Sequence, residues 1–134
     1  MASSTTPEHQ HVLQVGKNVL TDMAGGETAI MTLEELDRFV TERLEIPEFL
    51  SPSANIADAM SALGAYRVYH AKRYPDNQKA CHRLFYDGYH GEWEVSLRLH
   101  GMTQRGKTLP EAIAWAIWAQ IRSDDGYTAL GGQP

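Results

Sequence analysis

Residues 111–121 read EAIAWAIWAQI, and a helix of that composition has almost no polar side. At about 100° per residue, Ile113, Ala114, Ile117, Trp118 and Ile121 make one broad apolar face. Trp115 stands about 200° round the wheel from Ile113, beside Glu111 and Arg122, while Ala112, Ala116 and Ala119 extend the small-residue surface around it. A helix that is apolar all round is covered on two sides or meets a partner. Two arrangements satisfy this. A helix from the first part of the chain, 7–24 or 32–46, covers the second side, or that side stays open as an interaction surface. Tryptophan and arginine are enriched at binding hot spots. The open arrangement therefore makes Trp115 the apolar anchor and Arg122, with Glu111, its hydrogen-bonding rim.

The elements before this helix follow from periodicity and capping. Thr6, Pro7 and Glu8 suit a helix start, and Val12, Val15, Val19 and Met23 then share one helical face. The alternation in HVLQVGK fits a short strand equally, so residues 7–24 are read as helix or strand. Thr32 and Glu35 have capping-box spacing, followed by a stripe of Leu33, Leu36, Phe39, Val40 and Leu44 that ends at Ile46-Pro47. The loop PEFLSPS is expected to turn Phe49 and Leu50 inward. A further helix starts after Ser53 or Asn55, runs to about His70 or Arg73, and presents Ile56, Ala59, Met60, Leu63 and Tyr66 on one face.

Beyond PDNQ the period becomes strand-like. CHRLFYD and EWEVSLRLHG read as strands joined by the turn DGYHG, with Trp93, Val95, Leu97 and Leu99 on one face of the second. A weaker strand signal covers Met102–Arg105. Thr108 and Glu111 then cap the apolar helix, which stops at Asp124-Asp125-Gly126. The expected class is α+β: N-terminal helices, an antiparallel two- or three-stranded sheet, and a C-terminal helix packed on it. Residues 7–126 form one domain, with flexible tails at 1–6 and 127–134.

Charge and cysteine content narrow the function. The chain has 134 residues and a net charge of −5. Residues 1–60 hold ten acids and three bases, and residues 61–134 hold seven acids and nine bases. An acidic chain is a poor dedicated nucleic-acid binder, because phosphate neutralisation supplies most of that affinity. One basic, aromatic tract still qualifies as a local site: Tyr69, Lys72, Arg73, Lys79 and Arg83, extended by Arg98 and Arg105. The plain reading of its core is that Tyr66 packs inward while Lys72 and Arg73 complement a helix C-terminus. No apolar run is long enough to span a bilayer. The first residues lack a secretory pattern, which makes the cytoplasm the expected location.

Catalytic and metal constellations are absent from the sequence pattern. Cys81, a single cysteine, permits neither an intramolecular disulfide framework nor a polythiolate zinc site. Its neighbour His82 would point to the opposite face of a strand and could not deprotonate it. The six histidines do not converge: His9 and His11 are two apart, His82 and His100 fall on opposite sheet faces, His90 is in a turn and His70 ends a helix. No GxSxG, phosphate-binding glycine loop or HExxH occurs. Asp87, Glu92 and Glu94 cluster at the hairpin turn without a pocket signal. No enzyme activity, metal or cofactor is expected.

The segment GEWEVSLRLHGMTQRGKTLPEAIAWAI resembles hairpin-then-helix units in two small families. In HicB-type antitoxins strands precede a Gly-x-Thr-x-x-Glu-Ala helix start, matched here by Gly106, Thr108, Glu111 and Ala112. Small tailed-phage proteins with a helix–sheet–helix sandwich are similar in pairing a tryptophan-bearing strand with a TPxEA-like start. The likeness covers about a quarter of the chain and implies a fold neighbourhood and a phage or mobile-element accessory setting. The order of elements also resembles the double-stranded RNA-binding domain. The lysine-rich helix start that grips phosphate there is LPEAIAWAI here, which removes that clamp. The expected function is a non-catalytic binding protein that occludes a protein partner or pairs with a second copy. Nucleic-acid binding through the basic residues is the first alternative and a small hydrolase the last.

Overall fold

A computed structural model describes residues 10–12, 14–15, 18–21, 30–76, 82–98, 103–126 and 128–129. In chain order the elements are strands β1 (Gln10–Val12), β2 (Gln14–Val15), β3 (Asn18–Thr21) and β4 (Ile30–Thr32), helices α1 (Leu33–Leu44) and α2 (Ile56–Arg73), strands β5 (Arg83–Asp87), β6 (Glu92–Ser96) and β7 (Thr103–Gly106), helix α3 (Leu109–Asp124) and strand β8 (Thr128–Ala129). β1 pairs with β4, β3 lies between β2 and β8, and β5, β6 and β7 form an antiparallel sheet in that order. The fold is α+β, with α3 laid against β6 and β7.

The helical reading of 7–24 gives way to strands at 10–12, 14–15 and 18–21. β-branched Val12, Val15 and Val19 favour extended backbone, and a glycine at position 16 weakens a helix. Of the expected tails, residues 1–6 and, apart from β8, 127–134 lie outside the described residues, as do Lys79, Cys81 and His100.

α1 keeps both its expected ends. The Thr32 hydroxyl accepts from Glu35 N–H at 3.1 Å, and the Glu35 carboxylate accepts from Thr32 N–H at 2.9 Å, satisfying two free amides at the helix start. Glu45 caps the other end in the left-handed region, φ 57°. In α2, capped by Asn55, the apolar stripe is rotated from the expected one. Ala59, Ala62, Leu63, Tyr66 and His70 are buried, while Ile56 and Met60 are about half exposed. The two alanines let neighbouring helices approach closely, which turns the longer side chains outward. Phe49 also faces solvent, 80% exposed, because the Asp37 carboxylate holds the loop by accepting from Ser53 N–H and Oγ–H at 2.9 and 2.8 Å.

Every residue from Ala112 to Ile121 in α3 is buried. The helix rests on β6 and β7 and also packs on α1 and α2, so its apolar circumference is enclosed within one chain. Closeness to the sheet depends on Gly106, opposite Trp93 in the β6–β7 register. A Cβ there would stand 2.5 Å from Ala112 N and 2.9 Å from Ala112 Cα. Backbone cannot yield as a side chain does, so Gly106→Ala must lift α3 from β7. Thermal unfolding should show a loss of about 2 kcal/mol, within the usual range for overpacking; an unchanged melting temperature would contradict this contact.

Candidate functional site

The C-terminal ends of α1, α2 and α3 meet at two adjacent acids. Two carboxylates at a helix C-terminus oppose its dipole, and the chain compensates them with cations from distant segments. The Asp124 side chain is 3% exposed and accepts four hydrogen bonds. Arg98 donates to Oδ1 at 3.1 Å and Oδ2 at 2.8 Å, Tyr74 to Oδ1 at 2.7 Å, and Tyr69 to Oδ2 at 2.8 Å. Arg98 Nε also donates to the Tyr66 hydroxyl at 3.0 Å, its guanidinium lies 4.7 Å from the centre of the Tyr74 ring, and Arg73 donates to the Asp124 carbonyl at 2.6 Å. Asp125 forms a bidentate pair with Arg43, at 2.7 and 2.9 Å, which holds its carboxyl below the ordinary range.

This network is saturated. A carboxylate offers about four acceptor positions, and Asp124 fills them with donors from its own chain. Burial raises the Tyr66 hydroxyl well above its ordinary value, and burial with the bond to Asp124 does the same for Tyr69. Neither phenol ionises near neutral pH. Burial, with the nearby Arg98 charge, lowers the pKa of His70, whose Nδ1 lacks a partner among the described residues. A groove of about 500 Å³ runs beside the network, floored by Leu44, Ile46, Ala65 and Val68 and edged by Arg43, Lys72 and Arg73. No three His, Cys, Asp or Glu side chains gather to hold a metal among the described residues, and no described helix is long and apolar enough to cross a membrane.

The expected partner anchor is overturned. Trp115 is fully buried, its indole N–H donates to the Glu111 carboxylate at 3.2 Å, and its ring meets Trp118 edge-on with centroids 5.2 Å apart. Glu111, expected to complete a capping box, supports this tryptophan instead. Arg122 lies over the Phe39 ring, 5.9 Å from its centre, between α3 and α1. Glu111 and Trp115 are bonded to each other within α3, and Arg122 reaches across to α1. They present no protruding anchor, because α1 and α2 use the side of α3 that the sheet leaves.

The basic set is dispersed. Tyr69, Arg73 and Arg98 are drawn into the Asp124 network, although simple alternation along the second strand would put Arg98 on the face opposite Trp93 and Val95. β6 ends at Ser96, so the alternation lapses before residue 98. Arg105 pairs with Glu94 at 3.0 Å and Glu92 at 3.6 Å. Lys72 and Arg83 are exposed and form no ion pair among the described residues.

A surface the pattern did not reveal lies on the hairpin. β5 is an edge strand of its sheet, with Leu84 opposite Val95 and Tyr86 opposite Trp93. These pairs share the face that bears α3, but the helix sits over β6 and β7. Leu84 and Tyr86 are consequently 41% and 51% exposed. Phe85, on the other face, is 60% exposed, and Tyr89 in the turn is 91% exposed. The available signal was the unbroken apolar run Leu84-Phe85-Tyr86, since a strand covered on one face alternates. No known protein family, curated protein or solved structure matches this chain.

Removing the Asp124 side chain leaves the Arg98 charge unmatched at the edge of the core. Asp124→Ala should cost about 3 kcal/mol in denaturant unfolding, and Tyr69→Phe about 1 kcal/mol. Equal, small losses for both would contradict the keystone role of the carboxylate.

Proposed function

We propose that this chain is a non-catalytic binding protein that engages a protein partner through the β5–β6 hairpin. The observation that carries the reading is the concentration of Leu84, Phe85, Tyr86 and Tyr89, all exposed, on one edge strand and its turn. An edge strand presents unpaired backbone N–H and C=O groups, and contiguous exposed apolar surface marks interaction sites. Main-chain pairing supplies affinity to an added strand while adjacent side chains supply selectivity.

Occlusion of a partner needs a shaped surface and no chemistry, which suits the saturated Asp124 network. It also suits the accessory setting implied by the hairpin-plus-helix resemblance. The dispersed and largely compensated bases give the nucleic-acid alternative less support. The acidic side of α1, with Glu34 and Glu42 exposed, would keep like-charged surfaces away from the partner.

A photo-crosslinking amino acid at position 85 should form adducts with a protein chain, and one at Glu34 should not. Phe85→Ser should remove binding while changing stability by less than about 0.5 kcal/mol, as expected of an exposed position. Absence of adducts from position 85 would overturn the reading.

A further inference from the structure

Resting on the hairpin as the contact surface, we propose that its occupant is a second copy of this chain. The two β5 strands run antiparallel about a two-fold axis at Phe85 and join the two sheets into one of six strands. β5 reads Arg83-Leu84-Phe85-Tyr86-Asp87, and this order is self-complementary when reversed. Centred on Phe85, Arg83 of each copy lies opposite Asp87 of the other, Leu84 lies opposite Tyr86, and Phe85 meets its own equivalent. Residues directly opposite in an antiparallel pair share a face and interact, with opposite charges and apolar pairs both favourable.

Other registers lose this match. Centring on Leu84 sets Phe85 against Arg83, and centring on Tyr86 sets it against Asp87. Both place a charge against an aromatic ring and leave the charges unpaired. Since a slip in register reassigns every cross-strand partner, the end charges select the Phe85-centred arrangement.

The rest of the hairpin is consistent with this occupant. Edge strands are ordinarily blunted by charged side chains, proline or a bulge; β5 carries charge only at its two ends, Arg83 and Asp87, which face each other across the axis, and its three central residues are apolar or aromatic. Its outer edge carries no paired strand among the described residues. Asp87 is built to stay charged and in place. Its Oδ1 accepts from Tyr89 N–H at 3.0 Å and His90 N–H at 3.3 Å, and its Oδ2 is 2.6 Å from His90 Nδ1. Three of about four acceptor positions are filled, leaving one for the arginine of the other copy. A two-fold axis perpendicular to the sheet keeps both α3 helices on one face. The bare strip between them is then lined by Leu84 and Tyr86 from each copy, which cover one another.

Sedimentation equilibrium of the full chain tests the pairing. The natural sequence should show a concentration-dependent monomer–dimer equilibrium. Arg83→Asp sets two acids against two acids across the axis, and Asp87→Arg sets bases against bases. Each variant alone should dimerise at least tenfold more weakly, and an equimolar mixture should recover the heterodimer. Because Asp87 also holds the turn, Phe85→Glu and Phe85→Lys provide a second pair that leaves the turn intact: each monomeric alone, dimeric when mixed. Mixtures no tighter than the single variants would overturn the proposal, as would a natural chain that stays monomeric at all concentrations. Adducts from a crosslinker at position 85 to a different protein, with the chain itself monomeric, would remove the second copy and retain the hairpin surface. No adducts and no dimer would remove both.

Discussion

A helix with apolar side chains around its whole circumference can be stable in water only if something surrounds it, and most of this architecture follows from surrounding α3. Ten consecutive residues, Ala112 to Ile121, are removed from solvent. The sheet supplies one wall through β6 and β7, and α1 and α2 supply others. Alanines at 112, 114, 116 and 119 allow close approach, with Gly106 setting the limit at the sheet. Enclosing the helix consumes the surface that its composition seemed to offer a partner. Trp115 becomes a core residue whose single polar atom is satisfied by Glu111 one turn earlier.

The geometry that encloses α3 also decides what is left uncovered. A helix is about 10 Å wide and strands lie about 4.8 Å apart, so one helix covers roughly two strands. With α3 centred on β6 and β7, the third strand loses its cover, and Leu84 and Tyr86 become half exposed although their face is the core face. The other end of α3 carries a different burden. Its terminal acids oppose the helix dipole, and Arg43, Arg73 and Arg98 with Tyr69 and Tyr74 converge to offset them. That convergence locks α1, α2 and the segment after β6 to one point, which makes the polar cluster a structural joint.

The legible parts of this fold were those fixed by local chemistry. α1 was readable at both ends because Thr32, Glu35 and Ile46-Pro47 act within a few residues of themselves. Asn55 likewise marked the start of α2, and the glycines at 88 and 91 marked the hairpin turn, where Gly91 takes φ 67°. The face of α2 was not readable. Two overlapping stripes satisfy helical spacing, and neighbouring helices selected the one containing Ala59 and Ala62. The Asp124 network was hidden for another reason: Tyr69 and Tyr74 are at least 50 residues away in sequence, and no local period encodes such a contact. The hairpin surface lay between these cases. The run Leu84-Phe85-Tyr86 was visible, but its exposure depends on how far α3 reaches across the sheet.

In a single chain α3 is enclosed while β5 is left as a bare edge, and residue-resolved amide hydrogen exchange in dilute solution reads both features together. Amides from Ala112 to Ile121 should exchange most slowly, through global unfolding alone. Along β5, amides should alternate between protected and freely exchanging, as only one side of the strand is paired. Exchange in α3 as fast as in β5, with α1 and α2 still protected, would show that the helix is not enclosed.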